Sequence, residues 1–150
     1  MITALQFAVL TLYLLVVTKR FGILESISHS TYSWLGNERY YFTAMCWILA
    51  GLNLGQGMEG WGVLTAGALG FTGITVNWME SGSSAFWVHS VGAFTAILSA
   101  FIGIWVLHGI WIPFALFALM AIATYLTSRN FVWWIEIQAF ALILISYMLR

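Results

Sequence analysis

The chain has no aspartate, one cysteine, one proline, and only five basic and five acidic residues among 150. Each scarcity excludes something. A water-soluble domain carries about 25% charged residues to keep its surface hydrated, and a charged fraction of 7% cannot coat a globule of 16.8 kDa. So few lysines and arginines leave no basic patch for reading nucleic-acid phosphates, so no nucleic-acid partner is expected. A net charge of zero argues against any strongly charged partner. A lone Cys46 rules out an internal disulfide and any paired-cysteine metal knuckle, and it reads as a small buried apolar residue. Without aspartate there is no Ser-His-Asp triad. There is also no HxxxH, HExxH or Cys/His cluster, and Gly67, Gly70 and Gly73 lie inside an apolar run, not in a phosphate-binding loop.

What is present is hydrophobic: 62% of residues are apolar, 17% are aromatic, and the mean hydropathy is +0.94. Such a composition excludes a disordered chain. A helix needs roughly 20 mainly apolar residues to cross about 30 Å of hydrocarbon. Six stretches answer to this, at residues 2–18, 40–54, 61–78, 85–107, 110–126 and 131–149, the second short and drawing on residues 55–58. The runs are continuous, which argues against a β-barrel, and open strands cannot satisfy their backbone groups in lipid. The sequence therefore predicts an all-α fold. It is a polytopic transmembrane helical bundle of six membrane-spanning helices, one integral membrane domain over residues 1–150, with short connections and one longer first loop. His108-Gly109 and the break at 127–130 are tight enough to favour antiparallel neighbours. Pro113 falls in the first turn of the fifth helix, where its missing N–H is harmless. The first stretch is expected to remain as a span, because no basic residue precedes it and Lys19 and Arg20 follow it.

Six spans place the loops 19–39, 79–84 and 127–130 on one face. That face holds Lys19, Arg20, Arg39 and Arg129, against Arg150 alone on the other. The positive-inside rule then makes it cytoplasmic in a multi-pass cell-membrane protein with both termini outside. Small residues at four-residue spacing mark the expected inward faces: Gly62, Ala66 and Gly70 on the third stretch, Gly92, Ala96 and Ala100 with Ser99 and Gly103 on the fourth, and Gly51 and Gly55 on the second. Trp34, Trp61, Trp78, Trp87, Trp111, Trp133 and Trp134 lie near the ends of stretches, as an interfacial aromatic belt requires.

Ionisable residues inside spans are costly and are functional candidates by default. The basic face gathers Glu25, Ser28, His29, Ser30, Tyr32, Asn77, Glu80, His89 and Glu136, and the other face holds Asn53, Gln56, Glu59 and His108. His89 precedes Gly92 and Ala96 by three and seven positions, which puts it on the small-residue stripe facing the interior. At about 1.5 Å per residue it lies roughly 6 Å deep, and Glu136 roughly 9 Å deep, from the same face. An inward His and an inward Glu form either a proton-transfer pair or two ligands of one metal. A metal such as zinc would take His29, His89 and Glu136, with His29 folding down from the first loop. A catalytic arrangement would use His89 and Glu136 with Ser28 and Glu80, although Glu80 is as readily a solvated loop residue. Glu25 and Glu38 read as loop ion pairs with Lys19, Arg20 or Arg39, worth under about 1 kcal/mol. The loop from Glu25 to Tyr32 is rich in hydroxyls and either re-enters the site or forms a surface lid.

Three short motifs carry a resemblance: Ser26-Ile27-Ser28-His29-Ser30-Thr31-Tyr32 after the first stretch, Val88-His89-Ser90-Val91-Gly92-Ala93 opening the fourth, and Trp134-Ile135-Glu136-Ile137 in the last. In this layout the chain resembles small six-span bacterial and phage membrane proteins. These in turn look like distant relatives of the CREST-type superfamily of membrane hydrolases and receptors. The resemblance implies a metal-dependent, lipid-directed hydrolase in which Ser28 matches the family serine and His89 one histidine. His29 stands where the family has an aspartate, and the paired histidine of the last helix is missing. Three functions stay open: an enzyme acting on a lipid or other amphiphile, a small oligomeric ion or proton channel or transporter, and an accessory or effector subunit of a membrane complex. Expected partners are accordingly the lipid bilayer, an amphiphilic small molecule, and a second copy or another membrane protein.

Overall fold

The computed structural model describes residues 1–33, 36–75 and 84–149, and every regular element within them is helical. In chain order these are α1 (Ile2–Phe21), the one-turn α2 (Ser30–Ser33), a 3₁₀ turn (Gly36–Arg39), α3 (Tyr40–Leu54), α4 (Glu59–Thr75), α5 (Ser84–His108), α6 (Ile112–Thr127) and α7 (Phe131–Leu149). Each of the six apolar stretches thus contains a helix, the third as far as its described residues extend. Three segments are long and apolar enough to cross a membrane: Ile2–Phe21, Trp87–His108 and Phe131–Leu149. Helices α3 and α6 are apolar but shorter. The 15 residues of α3 rise only about 22 Å, and the 3₁₀ turn that runs directly into it adds length at its N-terminal end.

Two glycines set the helix ends. Gly22 takes φ 77 and closes α1 by donating its amide to Thr18 O, and Gly109 at φ 69 closes α5 on Trp105 O. This left-handed backbone is inexpensive only for glycine. Pro113 opens α6 as expected.

Cross-contacts show the long helices running alternately up and down. Along α3 and α4, Thr43 meets Gly73 and Asn53 meets Gly62; along α4 and α5, Thr72 meets His89 and Thr65 meets Ser99. Gln6 of α1 reaches Gln56 beyond the end of α3, while Tyr147 near the end of α7 reaches Asn53. Helix α4 therefore lies between α3 and α5. Helix α6 sits at the edge on α7 and α5, through a hydrogen bond from Gln138 Nε2 to Thr124 Oγ1 and the rings of Phe114 and Phe117 on Phe101.

Close packing depends on three glycines. A Cβ at Gly73 would lie 2.7 Å from Cys46 Cβ, one at Gly92 2.8 Å from Thr72 Oγ1, and one at Gly103 2.6 Å from Trp61 Cβ. The expected stripes need correction at two points. Gly51 is exposed and Gly70 has open space where a Cβ would stand. The inner face of α3 is instead built of large side chains, Phe42, Met45, Cys46 and Leu49, so close approach is confined to the flanks of α4. A second correction concerns the belt. Trp133 is 2% exposed and belongs to the core, while Trp87, Trp111 and Trp134 face outward. Trp34 and Trp78 lie outside the described residues.

The polarity is inverted relative to a soluble protein. Leu12, Val63, Val91, Val106, Leu119 and Leu126 are exposed, while Gln6, Asn53, Thr65, Ser99 and Ser146 are buried. The buried groups are paired. Gln56 Nε2 donates to Gln6 Oε1 and Thr3 Oγ1, Tyr147 OH donates to Asn53 Oδ1, and Thr65 bonds Ser99.

Candidate functional site

The first loop does re-enter the bundle. Ile27, Ser28, Ser30 and Thr31 are all buried. A chain of short-range hydrogen bonds shapes it: His29, Ser30, Thr31 and Tyr32 each donate their amide to the carbonyl three residues back. Ser26 Oγ caps this turn by accepting from His29 N. Ser30 Oγ donates to Ile27 O at 2.6 Å, which leaves the 2.5 Å contact with Tyr13 OH to be donated by the phenol. Tyr13 was not legible as a site residue, since a tyrosine within an apolar run reads as a core or interfacial side chain.

Glu136 fastens the loop from α7. Its Oε2 accepts from Ile27 N–H at 2.6 Å, and the loop reciprocates, Glu25 O accepting from Trp133 N–H in the first turn of α7. Both amides belong to turns whose leading N–H groups lack partners of their own. Each segment therefore caps the other, as in a capping box spread over 109 residues of sequence.

His89 is held from α4. It is 5% exposed, and its Nδ1 lies 3.0 Å from Thr72 O. Thr72 lies in the last described turn of α4, and Thr43 Oγ1 donates to the neighbouring carbonyl, Gly73 O. A carbonyl only accepts, so Nδ1 carries the proton and Nε2 of the neutral ring is an acceptor. Among the described residues Nε2 has no hydrogen-bond partner. The Phe42 ring packs beside the imidazole at 6.2 Å.

His89 and Glu136 meet in space without bonding to each other. Both line a cleft of about 620 Å³ between α5, α7 and the re-entrant loop, together with Glu25, Ser26, Ser28, His29 and Tyr32. Its remaining walls include Ala93, Phe94, Ile97, Val132 and Ile135. Polar and apolar side chains are thus mixed along its walls. Four residues, His89, Ala93, Ile97 and Glu136, also border a smaller interior cavity of about 70 Å³, walled by Leu10, Phe42, Leu49, Leu69, Phe140 and Ile143 among others.

The other expected site residues fall as follows. Ser28 lines the cleft, but its Oγ lies 3.0 Å from Ser26 Oγ, and among the described residues no Ser28–His89–Glu136 relay is bonded. His29 stands at the rim, with its Nδ1 3.4 Å from Glu25 Oε2 and its ring edge-on to Tyr32. Glu25 therefore pairs with a histidine and not with a basic residue of the loop, whereas Glu38 does bond Arg20, at 3.1 Å. Glu80 and Asn77 lie outside the described residues. The proposed metal set is not assembled: among the described residues no three His, Cys, Asp or Glu side chains converge as ligands. The reason is local, since Glu136 is drawn to the Ile27 amide, His89 to the Thr72 carbonyl and His29 to the rim. These donors do not fit a zinc ion. His108 and Glu59 lie at the opposite ends of α5 and α4 from His89 and Thr72, far from the cleft.

No protein family, curated protein or solved structure matches the chain.

Proposed function

We propose that the chain is a six-span membrane protein whose cleft takes the polar end of a lipid or other amphiphile and performs proton-transfer chemistry on it, hydrolase-like, with His89 as general base. The observation that carries this reading is a buried imidazole with its Nδ1 tied down and its Nε2 unclaimed among the described residues, lining a cleft whose walls carry both polar and apolar side chains. Cleft volumes of about 300–1,000 Å³ are the range that accepts small ligands. In the reaction, Nε2 takes a proton from a water whose oxygen bonds to the acyl carbon of an ester or amide. The imidazolium returns that proton to the alcohol oxygen or amine nitrogen expelled as the acyl C–O or C–N bond breaks. The Thr72 carbonyl holds the ring in the required tautomer throughout. Glu136 keeps the loop seated and presents its second oxygen to the cleft. No metal enters this scheme.

The alternation of helix directions supports six spans, since α4 and α6 pack antiparallel along α5 and α7, which are long enough to cross. The basic end of the bundle is cytoplasmic by its charge, with both termini outside. A proton channel has less support: the polar groups at the far end, Gln6, Gln56, Asn53 and Tyr147, are paired with one another, and the space between is walled mainly by apolar side chains.

The test is fatty-acid or head-group release from a mixed set of ester and amide lipids by the purified chain in non-ionic detergent, read by mass spectrometry. Wild type is expected to release product, and His89→Ala to lose at least about 100-fold, as for removal of a general base. Undiminished release by His89→Ala, or none by wild type from any lipid, contradicts the reading.

A further inference from the structure

We infer that the cleft selects amphiphiles whose head group is a hydrogen-bond donor carrying positive charge, an alkylammonium, over those with phosphate or carboxylate heads. The inference rests on the cleft reading above and specifies its ligand. It comes from counting what the site can offer. Nε2 of His89 is a buried acceptor without a partner among the described residues, so it calls for a donor. Glu136 has one oxygen committed to Ile27 N–H, and no hydrogen bond engages the other among the described residues. At the rim the Glu25 side chain is 83% exposed and touches only the edge of His29. Among the described residues neither a lysine nor an arginine lines the cleft. The basic residue whose pairing is described, Arg20, is engaged with Glu38.

A phosphate or carboxylate head is rich in acceptors and negatively charged, so it would face acceptors and carboxyl groups with no cation to compensate. Burying such a head without a partner is strongly unfavourable. An ammonium head supplies N–H donors to His89 Nε2 and to the free Glu136 oxygen while Glu25 attracts it to the mouth. The exposed rings of Tyr32 and Phe94 line the same cleft. The alkyl chain then runs along Phe94, Ile97 and Ile135.

The experiment uses native mass spectrometry of the full chain in neutral detergent, with hexadecylamine, hexadecanol and hexadecyl phosphate at equal concentration. Wild type is expected to retain the amine about tenfold over the phosphate, with the alcohol between them. Glu136→Gln keeps an acceptor for the Ile27 amide, so the loop stays seated, and it should lower amine retention about tenfold while leaving the alcohol unchanged. Ala93→Trp fills the cleft and should reduce all three. Equal or better retention of the phosphate overturns the head-group inference, as does an unchanged amine in Glu136→Gln. If Ala93→Trp still abolishes binding in that case, the cleft reading survives its ligand assignment. Binding that ignores Ala93→Trp overturns both.

Discussion

His89 and Glu136 are each held by a single backbone group, one a carbonyl and the other an amide. This separates holding from chemistry at the level of single substitutions. Glu136→Ala leaves the Ile27 amide buried and unpartnered, a loss of about 1–3 kcal/mol, whereas Glu136→Gln keeps an acceptor there. Amide hydrogen exchange should therefore speed up over residues 22–33 in Glu136→Ala and stay near wild type in Glu136→Gln. Equal exchange in the two variants would show that the carboxyl group does not seat the loop. The two site residues were legible because ionisable side chains stand out in apolar runs, and both do face inward in one cleft. Their partners were not. The Ile27 amide and the Thr72 carbonyl are backbone atoms, and nothing in a side-chain pattern marks which carbonyl will lie beside a histidine. For the same reason the metal set was misjudged, since chain spacing shows depth but not which neighbour claims each donor.

Helix α5 can bring His89 to Thr72 O only because Gly92 and Gly103 let it lie against α4. Gly103→Leu forces a side chain into Trp61 and Met58, and Gly92→Val forces one into Thr72. Overpacking of this kind costs about 1–3 kcal/mol, so both variants should melt earlier in detergent, and Gly92→Val should also lose the His89-dependent activity. Gly51→Ala is the control. It faces open space, and replacing a mid-helix glycine by alanine gains up to about 1 kcal/mol, so thermal unfolding should be unchanged or later. Helix positions were legible almost to the residue, because apolar runs bounded by polar or glycine breaks leave the backbone little choice. Inward faces were read less well. Spacing of small residues marked α5 correctly and α4 at Gly62 and Ala66 but not at Gly70, and it misplaced α3, whose inner face is made by Phe42, Met45 and Leu49. Trp133 was likewise taken for a belt residue because its position near a helix end resembles that of its exposed neighbour Trp134.

Among the described residues the arrangement is a helical bundle with many apolar side chains outside, a largely apolar core that holds several paired polar groups, and a cleft lined by His89 and Glu136. Single cysteines introduced at Asn37 and Ser128 should react with an impermeant thiol reagent from the cytoplasmic side, and those at Gly57 and Gly109 from the other; Cys46 is buried and stays silent. Labelling of Asn37 and Ser128 from opposite sides would refute six spans. The all-helical class was readable because the apolar runs are long and continuous, and three of the described helices are long and apolar enough to cross a membrane. The ligand was not, since it depends on which acceptors remain unclaimed once the helices have packed. The most direct measurement is therefore the nitrogen NMR spectrum of isotope-labelled histidine in bilayers. The chain has only three histidines, so His29→Gln and His108→Gln leave the His89 signals alone. A proton on Nδ1 and a bare Nε2, with the Nε2 signal shifting on addition of hexadecylamine, is the predicted result. A proton on Nε2, with Nδ1 bare, would contradict the account at its base.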